Sequence, residues 1–450
     1  MTQRLRVVSD LHLSPPGAFD AFRSGDALAG FVQASARADT TLVLAGDVLD
    51  LLQVPGRPTV LDLRGAPALI RGALDGIGRT TWGGDLFRGL RALLQAGGRC
   101  VVIPGNHDPE LCHPDTRDLL LGALGAPDDA GLEVHREPGP WITQVGQWTA
   151  IVGHGHRSDA WNDIEPAALR RALEAGEGAV PLPPGSRLVV DVLHDFKKDE
   201  STGAPRFAFI DLLKPEPAVL LLLLYLDPQR ALALLPSALG LHGEQLLRAF
   251  RRYLGPRATL ASSAAPAVET ALDELLAQAI AAELDDDERL GPDAAVHRLK
   301  TWLAARPAPT PGTLAQHGGA RRWLARAALR GLSGDGSFFD LKGLNDVDRD
   351  VMREHLPEGT GPRVVLCGHT HAARLHRSSR DHMYINTGTW IDLMKLPELA
   401  ADERARSWID DLEHDRVARL RRLTYGEVTA DGASLKEWPG ATLPSRLAAP

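Results

Sequence analysis

Short apolar runs rich in valine, leucine and isoleucine punctuate the first third of the chain at 6–9, 41–45, 99–104 and 148–153. Each is long enough for a buried strand and too short for a helix that packs. Between them lie stretches such as 84–96, where leucines recur at helical spacing. Strands alternating with amphipathic helices predict a layered α/β architecture.

After His156 the composition shifts toward alanine, leucine, arginine and glutamate. Helical periodicity is expected at 165–175, 243–254, 263–284, 293–305 and 319–331, with the proline-rich segment 307–312 as a stiff connector. Strand-like sequence resumes at 363–367, 372–376 and 383–385. A final strand pair, 416–427 and 434–438, is expected to complete the second of two sheets. The pattern divides the chain into a core segment 1–159, a mainly helical insertion 160–345 and a second core segment 346–450. Because the insertion interrupts the core between two polar motifs, its ends must return to the same rim, which suits a cap; the simpler alternative is a peripheral decoration.

The chain has 450 residues, 44% of them hydrophobic, enough for a full core and more than one domain. Its formal net charge of −8 gives no general attraction for nucleic acid or an anionic membrane. The most apolar stretch, 218–226, is far below the roughly 20 residues a spanning helix needs, so no transmembrane segment is expected. Cys100, Cys112 and Cys367 are few, odd in number and scattered, with Cys100 and Cys367 in apolar runs that predict buried thiols. With no basic leader and apolar segment at the N-terminus, the expected location is the cytoplasm. The acidic run Asp285–Glu288 reads as a solvated loop, and nothing in the sequence speaks to oligomeric state.

The candidate chemistry lies where the strand-like runs end. Asp10-Leu11-His12, Gly46-Asp47, Gly105-Asn106-His107-Asp108, Gly153-His154-Gly155-His156 and Gly368-His369-Thr370-His371 each follow such a run. Carboxylate and amide oxygens mixed with imidazoles suit a pair of divalent transition metals, and such a pair suits hydrolysis of phosphate esters. Asp47, on a tight turn after a buried strand, is the natural bridging carboxylate. Manganese is the leading candidate metal; iron, zinc and nickel accept the same donors.

These motifs, in this order, resemble those of the calcineurin-like metallophosphoesterase superfamily, over residues 4–156 and 362–395. The resemblance implies a four-layer α/β sandwich of two mixed sheets flanked by helices, here with a large, mainly helical insertion. It further implies that Asp10, His12, Asp47 and His371 hold one metal, that Asp47, Asn106, His154 and His369 hold the other, and that a metal-bridging hydroxide attacks phosphorus in line. His107 is then the candidate to protonate the leaving oxygen. Asp50 would orient His107, as the matching aspartate does in related phosphatases, or would cap a helix. His154 and His156 compete for one ligand place, and His154 is favoured as the first after its strand. His156, Arg157, Asp159 and Asn162 would line the substrate mouth, although Arg157 and Asp159 also read as a surface ion pair; Lys197 and Lys198 read as solvated.

Within the superfamily, the segments around His12 and His154 look most like the bacterial UDP-2,3-diacylglucosamine diphosphatases. The chain departs from them in carrying His107 where they typically have arginine, and in its larger insertion. The expected substrate is therefore stated only as a phosphorylated small molecule or lipid-like compound, cleaved at a phosphodiester, phosphomonoester or pyrophosphate bond. A nuclease resembling the SbcD repair enzymes is the alternative, opposed by the acidic balance. A binding scaffold on an inactive phosphoesterase fold is the third reading, opposed by the complete set of candidate ligands.

Overall fold

The computed structural model describes residues 3–197 apart from gaps at 18, 55–59, 129, 138, 161, 165 and 176–178, together with 212–214, 336–357, 361–395, 408, 411–412, 416–439 and 441–442. The apolar run 218–226, Asp285–Glu288, the helices expected at 243–254, 263–284, 293–305 and 319–331, the connector 307–312 and Lys198 lie outside these residues.

The described strands up to residue 214 are β1 (Arg4–Val8), β2 (Thr40–Ala45), β3 (Val60–Asp62), β4 (Arg99–Ile103), β5 (Leu132–Val134), β6 (Trp141–Val145), β7 (Trp148–Val152), β8 (Ala179–Pro181) and β9 (Leu213–Lys214). Those after it are β10 (Arg363–Cys367), β11 (Arg374–Arg377), β12 (His382–Asn386), β13 (Leu393–Lys395), β14 (Arg419–Leu420), β15 (Thr424–Thr429), β16 (Gly432–Glu437) and β17 (Ala441–Thr442). The helices are α1 (Gly25–Ser35), α2 (Ala66–Gly78), α3 (Gly83–Gln95), α4 (Thr116–Leu124), α5 (Pro166–Ala175), α6 (Pro184–Leu188), α7 (His194–Lys197) and α8 (Asp346–His355).

Two compact units are present, one comprising 1–194, 337–392 and 421–450, the other 195–336 and 393–420. The first unit is α/β and holds two mixed sheets. A seven-stranded sheet runs β17-β16-β15-β1-β2-β4-β5, with β1, β2, β4 and β5 parallel; a five-stranded sheet runs β11-β12-β10-β7-β6, with β7, β10 and β12 parallel. Their inner faces meet in one apolar cluster. Leu5, Val7, Val43, Ala45, Val101 and Ile103 from one sheet pack with Ala150, Val152, Val364, Leu366, Met383 and Ile385 from the other, in the alternation that a sandwich demands. On the far side of the seven-stranded sheet, Phe31 of α1 lies against Tyr425, with ring centroids 4.9 Å apart. On the far side of the five-stranded sheet, Val351 of α8 packs on Ile151, Val365 and Tyr384. The architecture is compatible with a helix-flanked sandwich.

Segment 160–194, expected within the insertion, groups with the first unit, because β8 pairs antiparallel with β3 and Ala172 of α5 shares a cluster with Leu52 and Leu61. The second unit is described at a three-stranded sheet, β14-β13-β9. No helix among the described residues is long and apolar enough to cross a membrane.

The chain's last strands depart from expectation. Segment 416–427 is not one strand: β14 belongs to the second unit, and β15 begins at Thr424. Strands β15 and β16 join the seven-stranded sheet, where β15 runs antiparallel to β1 with Glu427 opposite Arg6 and Val428 opposite Leu5. This register buries Val428 in the core and brings Glu427 to Arg6 Nε at 3.0 Å, with Lys436 as a second partner. Burial raises the Glu427 pKa, but Lys436 and Arg6 outweigh it and hold the group below its ordinary value. A depressed carboxylate stabilises the fold above its unfolded pKa and loses that contribution as pH falls through the folded value. Glu427→Gln should lower stability at neutral pH by no more than about 1 kcal/mol, with the deficit shrinking only as pH falls below the ordinary glutamate pKa through the depressed folded value, as read from urea midpoints.

Candidate metal centre

The parallel strands of both sheets end in one place, and the candidate ligands stand in the turns that follow. Asp10 and His12 follow β1, Asp47 follows β2, Asn106 and His107 follow β4, His154 follows β7, and His369 and His371 follow β10. Five of them adopt positive φ: Asp10 (50°), His12 (48°), Asp47 (49°), His369 (70°) and His371 (58°). Left-handed backbone costs a residue with a Cβ about 1–2 kcal/mol and persists where its surroundings enforce it.

The enforcing contacts are visible. The β1–β2 ladder continues past both strands, with Asp10 N donating to Gly46 O at 3.1 Å, His12 N to Asp47 O at 2.9 Å and Asp50 N to Leu13 O at 2.8 Å. Across the sandwich, His369 N donates to Asp10 Oδ2 at 2.9 Å. Gly368 permits that approach, since a Cβ there would fall about 2 Å from Ser9 Oγ and Asp10 Oδ2. Thr389 Oγ1 and Trp390 N both donate to Asp10 O, at 2.7 and 3.2 Å, and Ser9 Oγ lies 2.6 Å from Thr387 Oγ1. The turn after β12 thus clamps the Asp10 loop.

Donor atoms of Asp10, His12, Asp47 and His371 lie within 4.8 Å of one another, all buried or nearly so, and could hold a metal ion. His12 Nε2 is 2.9 Å from His371 Nε2 and 3.9 Å from Asp47 Oδ2; His371 Nε2 is 3.4 Å from Asp10 Oδ1. Ligands bonded at about 2.1 Å to one ion sit roughly 3.0–3.4 Å apart in octahedral or tetrahedral geometry, which the His12–His371 and His371–Asp10 separations approach, while Asp47 Oδ2 stands farther from His12. Beyond Asp47 a second group converges: His154 Nε2 is 3.3 Å from Asp47 Oδ2 and 3.1 Å from Asn106 Oδ1, which is 3.1 Å from His369 Nδ1.

The hydrogen bonds fix which nitrogen of each ring carries its lone pair. His154 Nδ1 faces the Ala45 carbonyl at 3.0 Å, an acceptor that requires N–H there and leaves Nε2 bare toward Asp47 and Asn106. His12 Nδ1 donates to Asp50 Oδ2 at 3.1 Å, leaving its Nε2 toward His371 and Asp47. His369 Nε2 donates to Asp159 Oδ2 at 2.9 Å, leaving Nδ1 toward Asn106. An anchored N–H on the far side of the ring is the arrangement of metal-bound histidines. A metal at Nε2 of His154 would take the place of the second proton that the buried carboxylates draw to this ring. Burial opposes charge on His154, yet Asp47 and Asp10 push it up to about 9, so the pocket favours a positive charge. Asp47, despite burial, is held well below the carboxylate range by His154, His107 and His12.

Asp50 settles between its two expected roles. Its side chain makes no cap bond; Oδ1 accepts from His107 Nδ1 at 3.0 Å and Oδ2 from His12 Nδ1. His12, Asp50 and His107 also have metal-binding composition, but here one carboxylate positions two imidazoles. Burial raises Asp50, and His107 and His12 overcome that to hold it far below its ordinary value.

Of the residues expected at a substrate mouth, His156 and Arg157 line a cavity of about 640 Å³ shared with Arg136, Arg170 and Leu169. Burial, with His154 and His369 beside it, holds the His156 imidazole well below its ordinary pKa. Arg157 Nε lies 3.8 Å from Asp163 Oδ1, an ion pair with a different partner from the one expected. Asp159 and Asn162 turn inward, to His369 and Asn106. Asp108, given no role from sequence, is wholly buried; its Oδ1 accepts from Gly105 N at 2.6 Å and its Oδ2 from Val48 N and Leu49 N at 2.8 and 3.0 Å, tying the Asp47 turn to the Asn106 loop. The signal for it was the fourth place of the Gly-Asn-His-Asp motif.

No family model matches this chain, and no curated protein matches it with significant similarity.

Proposed function

We propose that this protein is a hydrolase of phosphate esters that depends on two divalent metals, built on the four-layer metallophosphoesterase sandwich. The observation that carries the reading is the pair of converging donor groups that share Asp47, with the tautomers of His12, His154 and His369 anchored from behind. Asp10, His12, Asp47 and His371 would hold one ion; Asp47, Asn106, His154 and His369 the other. When bound, such a pair lowers the pKa of a shared water and stabilises the attacking and leaving oxygens of an in-line displacement at phosphorus. The donors suit manganese, with iron, zinc or nickel as substitutes.

The rest falls to the chain's own residues. Asp50 holds His107 by Nδ1 and leaves Nε2 to donate a proton to the leaving oxygen. The adjoining cavity carries Arg136, Arg157 and Arg170 beside Glu137 and Glu354, and the proposed substrate is a phosphorylated small molecule or lipid-like compound. Three unpaired, buried cysteines support the cytoplasm as the place of action.

Metal-stripped protein reloaded with manganese should cleave bis-p-nitrophenyl phosphate; absence of cleavage there and with p-nitrophenyl phosphate, at full metal loading, would count against a hydrolase of exposed esters. His107→Ala should keep its metal content while turnover falls about 10²–10⁴-fold on substrates with poor leaving groups and far less on nitrophenyl esters. Loss of metal from that variant would make His107 a ligand instead.

A further inference from the structure

Asp159, Asn162, Gly185 and Ser186 belong to a segment that the motif reading left to the insertion or to the substrate mouth. Their polar atoms converge on Asn106 and His369. Asp159 Oδ2 lies 2.9 Å from His369 Nε2 and accepts from Asn162 Nδ2 at 2.8 Å. Asn162 Oδ1 accepts from Asn106 Nδ2 at 3.4 Å, and Ser186 Oγ, wholly buried, donates to Asn106 O at 3.2 Å.

The order of these bonds matters because an ionised carboxylate only accepts. Asp159 therefore requires the hydrogen of His369 on Nε2, which leaves the Nδ1 lone pair toward Asn106 Oδ1, 3.1 Å away. By taking the amide nitrogen of Asn162, the same carboxylate turns Asn162 Oδ1 toward Asn106. That in turn takes the amide nitrogen of Asn106 and commits its Oδ1 to the side of His154 Nε2 and His369 Nδ1. One carboxylate thus sets one tautomer and two amide orientations. Gly185 leaves the room: a Cβ there would stand 2.2 Å from Asn162 Oδ1.

We infer that Asp159 and Asn162, seated by Gly185 and Ser186, are positioning residues for the metal held by Asn106, His154 and His369, and that they set its affinity without touching it. The inference rests on the two-metal reading. Outer partners of this kind are worth about 10–100-fold in metal affinity.

The test is a manganese titration of the full-length, metal-stripped protein, with free manganese read by electron paramagnetic resonance, for the wild type, Asp159→Ala and Asn162→Ala. Wild type is expected to bind two ions. Each variant should keep one with unchanged affinity and bind the other about 10–100-fold more weakly. Gly185→Ala, which displaces Asn162 without altering any hydrogen-bonding group, should weaken the same ion and serves as an independent check if one truncation fails to fold. Two ions bound at wild-type affinity in the variants, or both ions weakened equally, would overturn the inference. A wild type that binds fewer than two ions would instead sink the two-metal reading beneath it.

Discussion

Asp47→Asn should abolish the proposed phosphate-ester hydrolysis, with a loss of about 10³-fold or more in turnover, while the fold survives. The expectation follows from where the two carboxylate oxygens point. Oδ1 accepts the His107 backbone N–H at 2.8 Å, a bond that an asparagine oxygen reproduces. Oδ2 faces His154 Nε2 at 3.3 Å and His12 Nε2 at 3.9 Å, one histidine from each donor group. An amide nitrogen in that place has no lone pair to offer and no charge to bridge with. Losing several kcal/mol of charge stabilisation corresponds to a loss of this size. Steady-state hydrolysis, bound metal and thermal unfolding measured on one preparation separate the outcomes: wild-type turnover would refute the shared carboxylate, and a collapsed fold would assign Asp47 a structural part instead.

Asp108→Ala removes the acceptor that three buried amides share. Each donor left without a partner costs about 1–3 kcal/mol, so the loss over three should reach about 3–9 kcal/mol, a large part of the 5–15 kcal/mol typical of a domain. The expected readout is a marked fall in the urea midpoint of the transition that unfolds the site-bearing unit. Asp108→Asn should fall between, because one amide oxygen can replace only one side of the anchor and its NH₂ then opposes a donor. Stability within about 0.5 kcal/mol of wild type for the alanine variant would mean that water replaces the carboxylate and that Asp108 ties nothing.

The positions of the candidate ligands were legible because apolar runs ending in Gly-Asp or Gly-His mark strand termini, and β1, β2, β4, β7 and β10 end where the runs at 6–9, 41–45, 99–104, 148–153 and 363–367 indicate. What each side chain does there depends on contacts between residues far apart in the chain. Positive φ at Asp10 has no local signature, since it is not a glycine; it is enforced by partners in the loops after β2, β10 and β12. The sequence around Asp50 suggests a residue that orients one imidazole or caps a helix, but its reach to His12 depends on a ladder between β1 and β2 that extends beyond both strands. The placement of β15 beside β1 was missed for the same reason: alternation shows which residues face a core, not which sheet supplies it. Asp159 and Asn162 read as mouth residues because they follow the His154–His156 turn, whereas the turn at Asp159 folds them back on Asn106.

The most direct measurement is manganese titrated into metal-stripped protein, with bound metal and cleavage of bis-p-nitrophenyl phosphate followed together. The account predicts that hydrolysis appears as the second equivalent binds and is absent from Asp47→Asn at every concentration. Full activity with no metal bound, or two ions bound without cleavage of diester or monoester, would contradict it.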